Sequence, residues 1–329
     1  MTEFSSTGQS NLKRYLFATI LPIIFLSLSL SVLLYDQVQL YTFTKTEIEG
    51  VQMIKSLYHA LTDLQKIRGY SQISQYGQHV EINRQLARLK KRFLDRFQQK
   101  NWILETQAFH LLPEAEHLET NAKQLFKLKP SPGKEQQLFN RYSELITEII
   151  QFMQLCADHS NLILDPELDT YYLIDVLDIE IPYLAEAIGR VRGIGSGLLA
   201  KKTITDQERE LLHNYQAAIK ARIESIQNAQ EIILKTSADL NHSLHLLPET
   251  LDTVITHLFN ECLLIEDKPA WLDQIGRPQQ TMKIPCFGMD KPCPERCLNK
   301  NNCPQLNPEQ FFQLATTAID LLATPYQTG

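Results

Sequence analysis

The chain has 329 residues, 43% of them hydrophobic and 21% charged, which is enough to bury a sizeable core and too apolar for a disordered chain. Its 12 glycines and 15 prolines are too few for a loop-rich all-β protein. With 38 acidic and 32 basic residues the net charge is −6, so no nucleic-acid partner is expected.

Residues 1–15 are polar and end on Lys13 and Arg14. Residues 16–35 read LFATILPIIFLSLSLSVLLY, without a charge, and about 20 apolar residues cross a bilayer as a helix. The basic flank before the run and Asp36 after it predict a cytoplasmic N-terminus and an external remainder. A cleaved signal peptide has a shorter apolar region and a small-x-small site, whereas this run ends in Val32-Leu33-Leu34-Tyr35. Pro22 is tolerable in such a span.

Residues 36–266 read as helices with short breaks. Ile48, Val51, Ile54, Leu57, Leu61 and Leu64 form one stripe that continues the membrane helix. Gly77 breaks it, and a basic helix over 81–99 turns Leu86, Leu89 and Phe93 inward. Pro113 opens a helix to about Lys127, and Pro130-Ser131-Pro132-Gly133 is a loop. Phe139, Tyr142, Ile146, Ile149, Met153 and Cys156 make a heptad seam. Asp165-Pro166 reads as an N-cap with proline at the first helical position. The helix it starts carries Leu173, Leu177, Ile181, Leu184, Ile188 and Val191, with a kink expected at Pro182 and a loosened end at Gly193, Gly195 and Gly197. Thr205 and Glu208 form a capping box for a helix to about Lys235. Pro248 opens another helix to Glu266. Residues 267–307 hold six prolines and four cysteines and read as a Cys/Pro-rich loop; residues 308–329 carry a final helix. The fold class is all-α: an N-terminal transmembrane helix, then an antiparallel long-helix bundle with a Cys-rich loop insertion.

Three stretches are similar to a known family: EIEGVQMIKSLYHALTDLQKIRG, LILDPELDTYYLIDVLDIEIPYLAEAIGRVRGIGSGLLAKKTITDQE and PEQFFQLATTAID. Together they resemble the N-terminal sensory region of bacterial methyl-accepting chemotaxis receptors and of related sensor kinases and cyclic-nucleotide signalling proteins. The pattern Asp-Pro-x-x-Asp-x-Tyr-Tyr-Leu is the most specific part. The resemblance implies a non-enzymatic signalling module of the inner membrane, its bulk periplasmic, with a small-molecule or protein ligand. It also implies a homodimer or a partner receptor subunit. Such receptors continue through a second span and a HAMP linker into an output domain; the expectation here is a chain without them, with 267–307 as an insertion.

Candidate site residues fall in three places. Cys286, Cys293, Cys297 and Cys303 are spaced C-x6-C-x3-C-x5-C. Two disulfides, a four-thiolate zinc site or a redox-sensing thiol pair all remain open, and zinc is the one cofactor to consider. Cys156 and Cys262 read as small core residues. Residues 165–186 hold seven acids and no Lys or Arg. Tyr171, Asp175 and Asp178 share a face opposite the leucine stripe, either solvated or binding a cation or amine through carboxylates and the tyrosine ring. Arg68, in Lys66-Ile67-Arg68-Gly69, is either a helix-end cation or an anion-binding fork for carboxylate or nitrate-like groups, and the resembling receptors carry a comparable Arg-Gly. Arg190 and Arg192 are expected to pair with acids on a neighbouring helix. No catalytic constellation is present, and the histidines are scattered. Two other readings compete with the sensory one: a structural or interaction protein of the cell envelope, and a redox or metal-handling module centred on the Cys loop.

Overall fold

The apolar run does not end where the charges begin. In this computed structural model residues 16–35 lie within α1 (Ser6–Ile73), one helix of 68 residues. The structure describes residues 6–74, 80–128, 133–164, 166–201, 204–236 and 308–323, with Leu251, Ile255, Phe259 and Pro325. Among these there is no strand. The chain divides into two compact units, Met1–Glu49 and Gly50–Gly329.

In the first unit α1 is exposed on all sides, Phe25 at 73% and Leu33 at 62%. An 18-residue window reaches a mean hydropathy of 2.2, so this helix is long and apolar enough to cross a membrane. Its hydroxyls bond back to the helix itself: Ser27 Oγ donates to the Ile24 carbonyl at 2.8 Å and Ser31 Oγ to Ser27 at 2.7 Å. That pairing leaves those hydroxyls needing no water.

The stripe on α1 is buried from Ile54 onward, whereas Ile48 and Val51 remain exposed. Leu57, Leu61 and Leu64 are fully buried. After them come α2 (Val80–Phe97), α3 (Lys100–Ala108), α4 (Leu112–Lys127) and α5 (Glu135–His159). A ladder of rings joins these helices. Phe126 meets Phe93 at 5.5 Å, Phe93 meets Phe97 at 5.3 Å, Phe97 meets Trp102 at 5.3 Å, and Trp102 meets Phe152 at 6.0 Å. Such pairs add to the roughly 1.5–3 kcal/mol that burying each large side chain contributes. The α5 seam is buried at Tyr142, Ile146, Ile149, Met153 and Cys156, and half-buried at Phe139.

The next stretch departs from expectation in its details. The helix does not start at Pro166. Asn161 takes a positive φ of 64°, a single 3-10 turn covers Leu162–Leu164, and α6 (Leu168–Asp175) begins after Glu167, whose side chain makes no cap bond. Asp165 lies outside the described residues. Pro182, where a kink is expected, sits at the start of α7 (Ile181–Lys201). A π-turn over Val176–Glu180 precedes it, closed by the Ile181 amide donating to the Val176 carbonyl, and α7 follows directly. Proline has no N–H for the carbonyl four residues back, and the wider turn accommodates that gap. Finally, Gly193, Gly195 and Gly197 do not end α7. A Cβ on Gly193 would stand 2.6 Å from the Phe139 ring, so this glycine admits a neighbour rather than a turn.

The capping box of α8 (Asp206–Thr236) forms as expected. The Thr205 amide donates to Glu208 Oε2 at 3.0 Å, and the Glu208 amide to Thr205 Oγ1 at 3.3 Å. Leu212, Ile219, Ile223, Ile226 and Ile233 are its buried face. Of the expected 248–266 helix, Leu251, Ile255 and Phe259 are buried and the rest lies outside the described residues. Residues 267–307 also lie outside them, with Cys262, Cys286, Cys293, Cys297 and Cys303. The last helix, α9 (Pro308–Leu321), packs on α7, which also packs on α8.

Candidate functional site

Spacing on two helices puts charge into the core. Arg68 stands four residues after Leu64 on the buried stripe of α1, and Arg192 four after Ile188 on that of α7. Each side chain is therefore carried inward, to 1% exposure. A buried guanidinium needs partners for its donors. Arg68 finds them on α7 and α5. Its Nη1 donates to Glu186 Oε1 and to Ser143 Oγ, both at 2.7 Å, and its Nη2 donates to Glu186 Oε2 at 3.1 Å. The Phe139 ring lies 4.8 Å from its guanidinium carbon.

Glu186 is the hub of this cluster. Besides the Arg68 fork it accepts Gln65 Nε2 at 3.3 Å and Arg190 Nε at 2.7 Å. The Arg190 partner is thus on its own helix, four residues back, and not on a neighbour as expected; Nη1 reaches the Tyr215 hydroxyl of α8 at 3.4 Å. Arg192 reaches two further helices. It donates to Thr316 Oγ1 of α9 and to the Gln65 carbonyl of α1, each at 2.9 Å. Burial, and then the neighbouring Arg68, push its pKa down to about 9, so it stays charged at neutral pH. Gly189 makes the close approach possible: a Cβ there would stand 2.9 Å from Arg68 Nη2.

The acidic face divides. Tyr171 is 48% exposed and packs edge-on against Tyr172, ring centroids 5.6 Å apart; Asp175 is half-buried. Asp178 is buried at 4% exposure, against the expectation of one shared outer face. The π-turn supplies the reason: its extra residue breaks the three-four spacing and rotates Asp178 inward. Glu180, two residues on, accepts Arg222 Nη1 of α8 at 3.1 Å. The structure therefore brings Arg68 and Arg190 together on Glu186. Among the described residues, Tyr171, Asp175 and Asp178 form no hydrogen bond to Glu186.

A second charged joint was missed from the sequence. Asp63 of α1, 4% exposed, accepts Arg96 Nη2 and Arg92 Nε of α2, each at 3.0 Å, and Arg92 Nη2 on its other oxygen. An open groove of about 430 Å³ between α4 and α5 is lined by Pro113, His117, Leu118, Glu148, Phe152 and others, none of them a residue singled out above for binding. Among the described residues no three His, Cys, Asp or Glu side chains are placed to hold a metal ion. No protein family, curated protein or solved structure matches the chain.

Proposed function

We propose that the chain is a membrane-anchored, extracytoplasmic sensory module. In this reading residues 16–35 span the inner membrane with the N-terminus cytoplasmic, and the second unit is an antiparallel bundle that binds a ligand. The Cys loop is pinned by two disulfides, and the signal passes to a second copy or to a partner receptor subunit. The observation that carries it is the buried fork between Arg68 and Glu186. It ties α1, the helix that contains the apolar run, to α7 through a buried charge pair.

A small planar anion, a carboxylate or a nitrate-like group, presents the same two oxygens to Arg68 as Glu186 does. An anion that takes over the fork releases Glu186 to Arg190 and loosens α1 against α7. Two packings of the bundle then differ by which carboxylate or anion Arg68 holds, and the ligand selects between them.

Topology and ligand are tested separately. A reporter fused after residue 329 should be active only outside the cytoplasm; cytoplasmic activity overturns the anchored, external arrangement. The 329-residue chain in detergent should gain thermal stability with sodium nitrate or sodium acetate over sodium chloride at equal ionic strength, and Arg68→Lys should lose the gain. No gain with either anion overturns the anion site.

A further inference from the structure

Asp178 stands apart from every ion pair described so far. It is 4% exposed, and its Oδ1 has no hydrogen-bond partner among the described residues. Among the described residues, the charged groups that act on it are acids. From α5 come Asp158 and the buried Cys156 thiol, and from α6 comes Asp175. Glu105 of α3 acts on the same thiol. The cation that α8 brings to this region, Arg222, is bonded to Glu180 and lies 4.9 Å from the centre of the Tyr183 ring. On α7 the Arg190 guanidinium is held by Glu186, and His159 at the end of α5 bonds the Phe109 carbonyl at 2.7 Å.

The backbone at this point also departs from α geometry. Asp178 lies inside the π-turn, and Pro182, four residues on, has no N–H to give the Asp178 carbonyl. A neutral carboxylic acid fits such a site. An anion there sits among other acids without a counter-charge.

We propose that Asp178 is a proton-binding site that governs the π-turn: with a proton taken from bulk water onto its carboxylate the turn stays closed over Cys156, and release of that proton to water opens it. Burial, and then Asp158 and Asp175, push its pKa up to about 7, which places the change near neutral pH. The ligand of this site is the proton itself. The proposal needs no anion at Arg68 and involves neither Arg68 nor Glu186, so it survives or fails independently of the sensory reading.

Cys156 is the reporter, being fully buried beside Asp178. The 329-residue chain in detergent is alkylated with iodoacetamide between pH 5.5 and 8.5, and modification of the Cys156 peptide is read by mass spectrometry. Comparison with Asp178→Asn removes the thiol's own pH dependence. The wild-type to variant ratio should be near one at pH 5.5 and rise about tenfold or more by pH 8.5, since each pH step above the carboxyl pKa favours the open state up to tenfold. A ratio flat across this range overturns the proposal. Asp158 is exposed, so Asp158→Asn is a second, independent variant. With one negative charge fewer, the midpoint should move to lower pH; an unmoved midpoint overturns the proposal even if Asp178→Asn does not fold.

Discussion

Glu186→Gln is the sharpest test of the buried cluster. The amide keeps the shape of the side chain and removes one charge. Arg68 and Arg192, each 1% exposed, and the partly buried Arg190 then share the core without that carboxylate. Breaking a buried ion pair by neutralising one partner costs about 3–5 kcal/mol, because the remaining charge stays desolvated. For a unit of this size that lowers Tm by about 10 °C. Arg190→Ala removes a side chain that is 31% exposed and should cost only about 1 kcal/mol. The double variant Arg68→Met with Glu186→Leu removes both charges and should lose less than the sum of the two single changes. Thermal unfolding of the 329-residue chain in detergent, followed by far-ultraviolet circular dichroism, measures all of these. If Glu186→Gln unfolds within about 0.5 kcal/mol of wild type, the fork is not buried and the joint between α1 and α7 is not polar.

Gly50→Ala should cost about 2–3 kcal/mol, since its Cβ would stand 2.3 Å from Ser160 Cβ, which no rotamer change relieves. Gly50→Ala with Ser160→Gly should recover most of that loss in the same unfolding assay. Thr205→Ala should cost about 1 kcal/mol through the lost cap of α8, and an unchanged Tm would show the cap contributes nothing. Thiol counting under denaturing, non-reducing conditions should find two free thiols of six, Cys156 and Cys262; six free thiols with one bound zinc would decide for a metal site instead.

Periodicity carried most of the fold. The stripes on α5 and α8, the α1 stripe from Ile54 onward and the capping box at Thr205 lie where three-four spacing and cap chemistry put them, because those signals are local. The departures come from residues whose role is set across the chain. Pro182 reads as a kink, and the π-turn that precedes it is not legible in the spacing. Gly193 reads as part of a loosened helix end until Phe139 is seen beside it. Arg68 and Arg192 could have been found from the sequence alone, since each extends an apolar stripe by four residues and a charge there must be partnered inside. Glu186 could not: nothing local separates it from the six other acids of its segment. Asp63 likewise shows its importance only when α2 folds back with Arg92 and Arg96.

Two groups in the second unit pull stability in opposite directions with pH. Asp178 has its pKa raised from 3.8 to about 7, by burial first and then by Asp158 and Asp175. Between those values the folded chain keeps a proton that the unfolded chain has lost, so stability falls as pH rises through this window and is level above it. At 1.36 kcal/mol per unit the ceiling is about 4 kcal/mol. Asp175, raised by burial and by Glu180, acts in the same sense. His59 acts in the other. Burial, and then Arg96, lower its pKa below 6.5, so the unfolded chain binds the extra proton and stability falls as pH drops through 6.5. Urea unfolding at pH 5.5, 6.25, 7 and 8 therefore separates them. Wild type should lose stability from pH 5.5 to 7, whereas Asp178→Asn should lose less or gain. Adding His59→Gln to that variant should remove the His59 share of its rise. Parallel profiles for wild type and Asp178→Asn would place Asp178 in water rather than in the core, and the inward rotation at the π-turn would then be wrong.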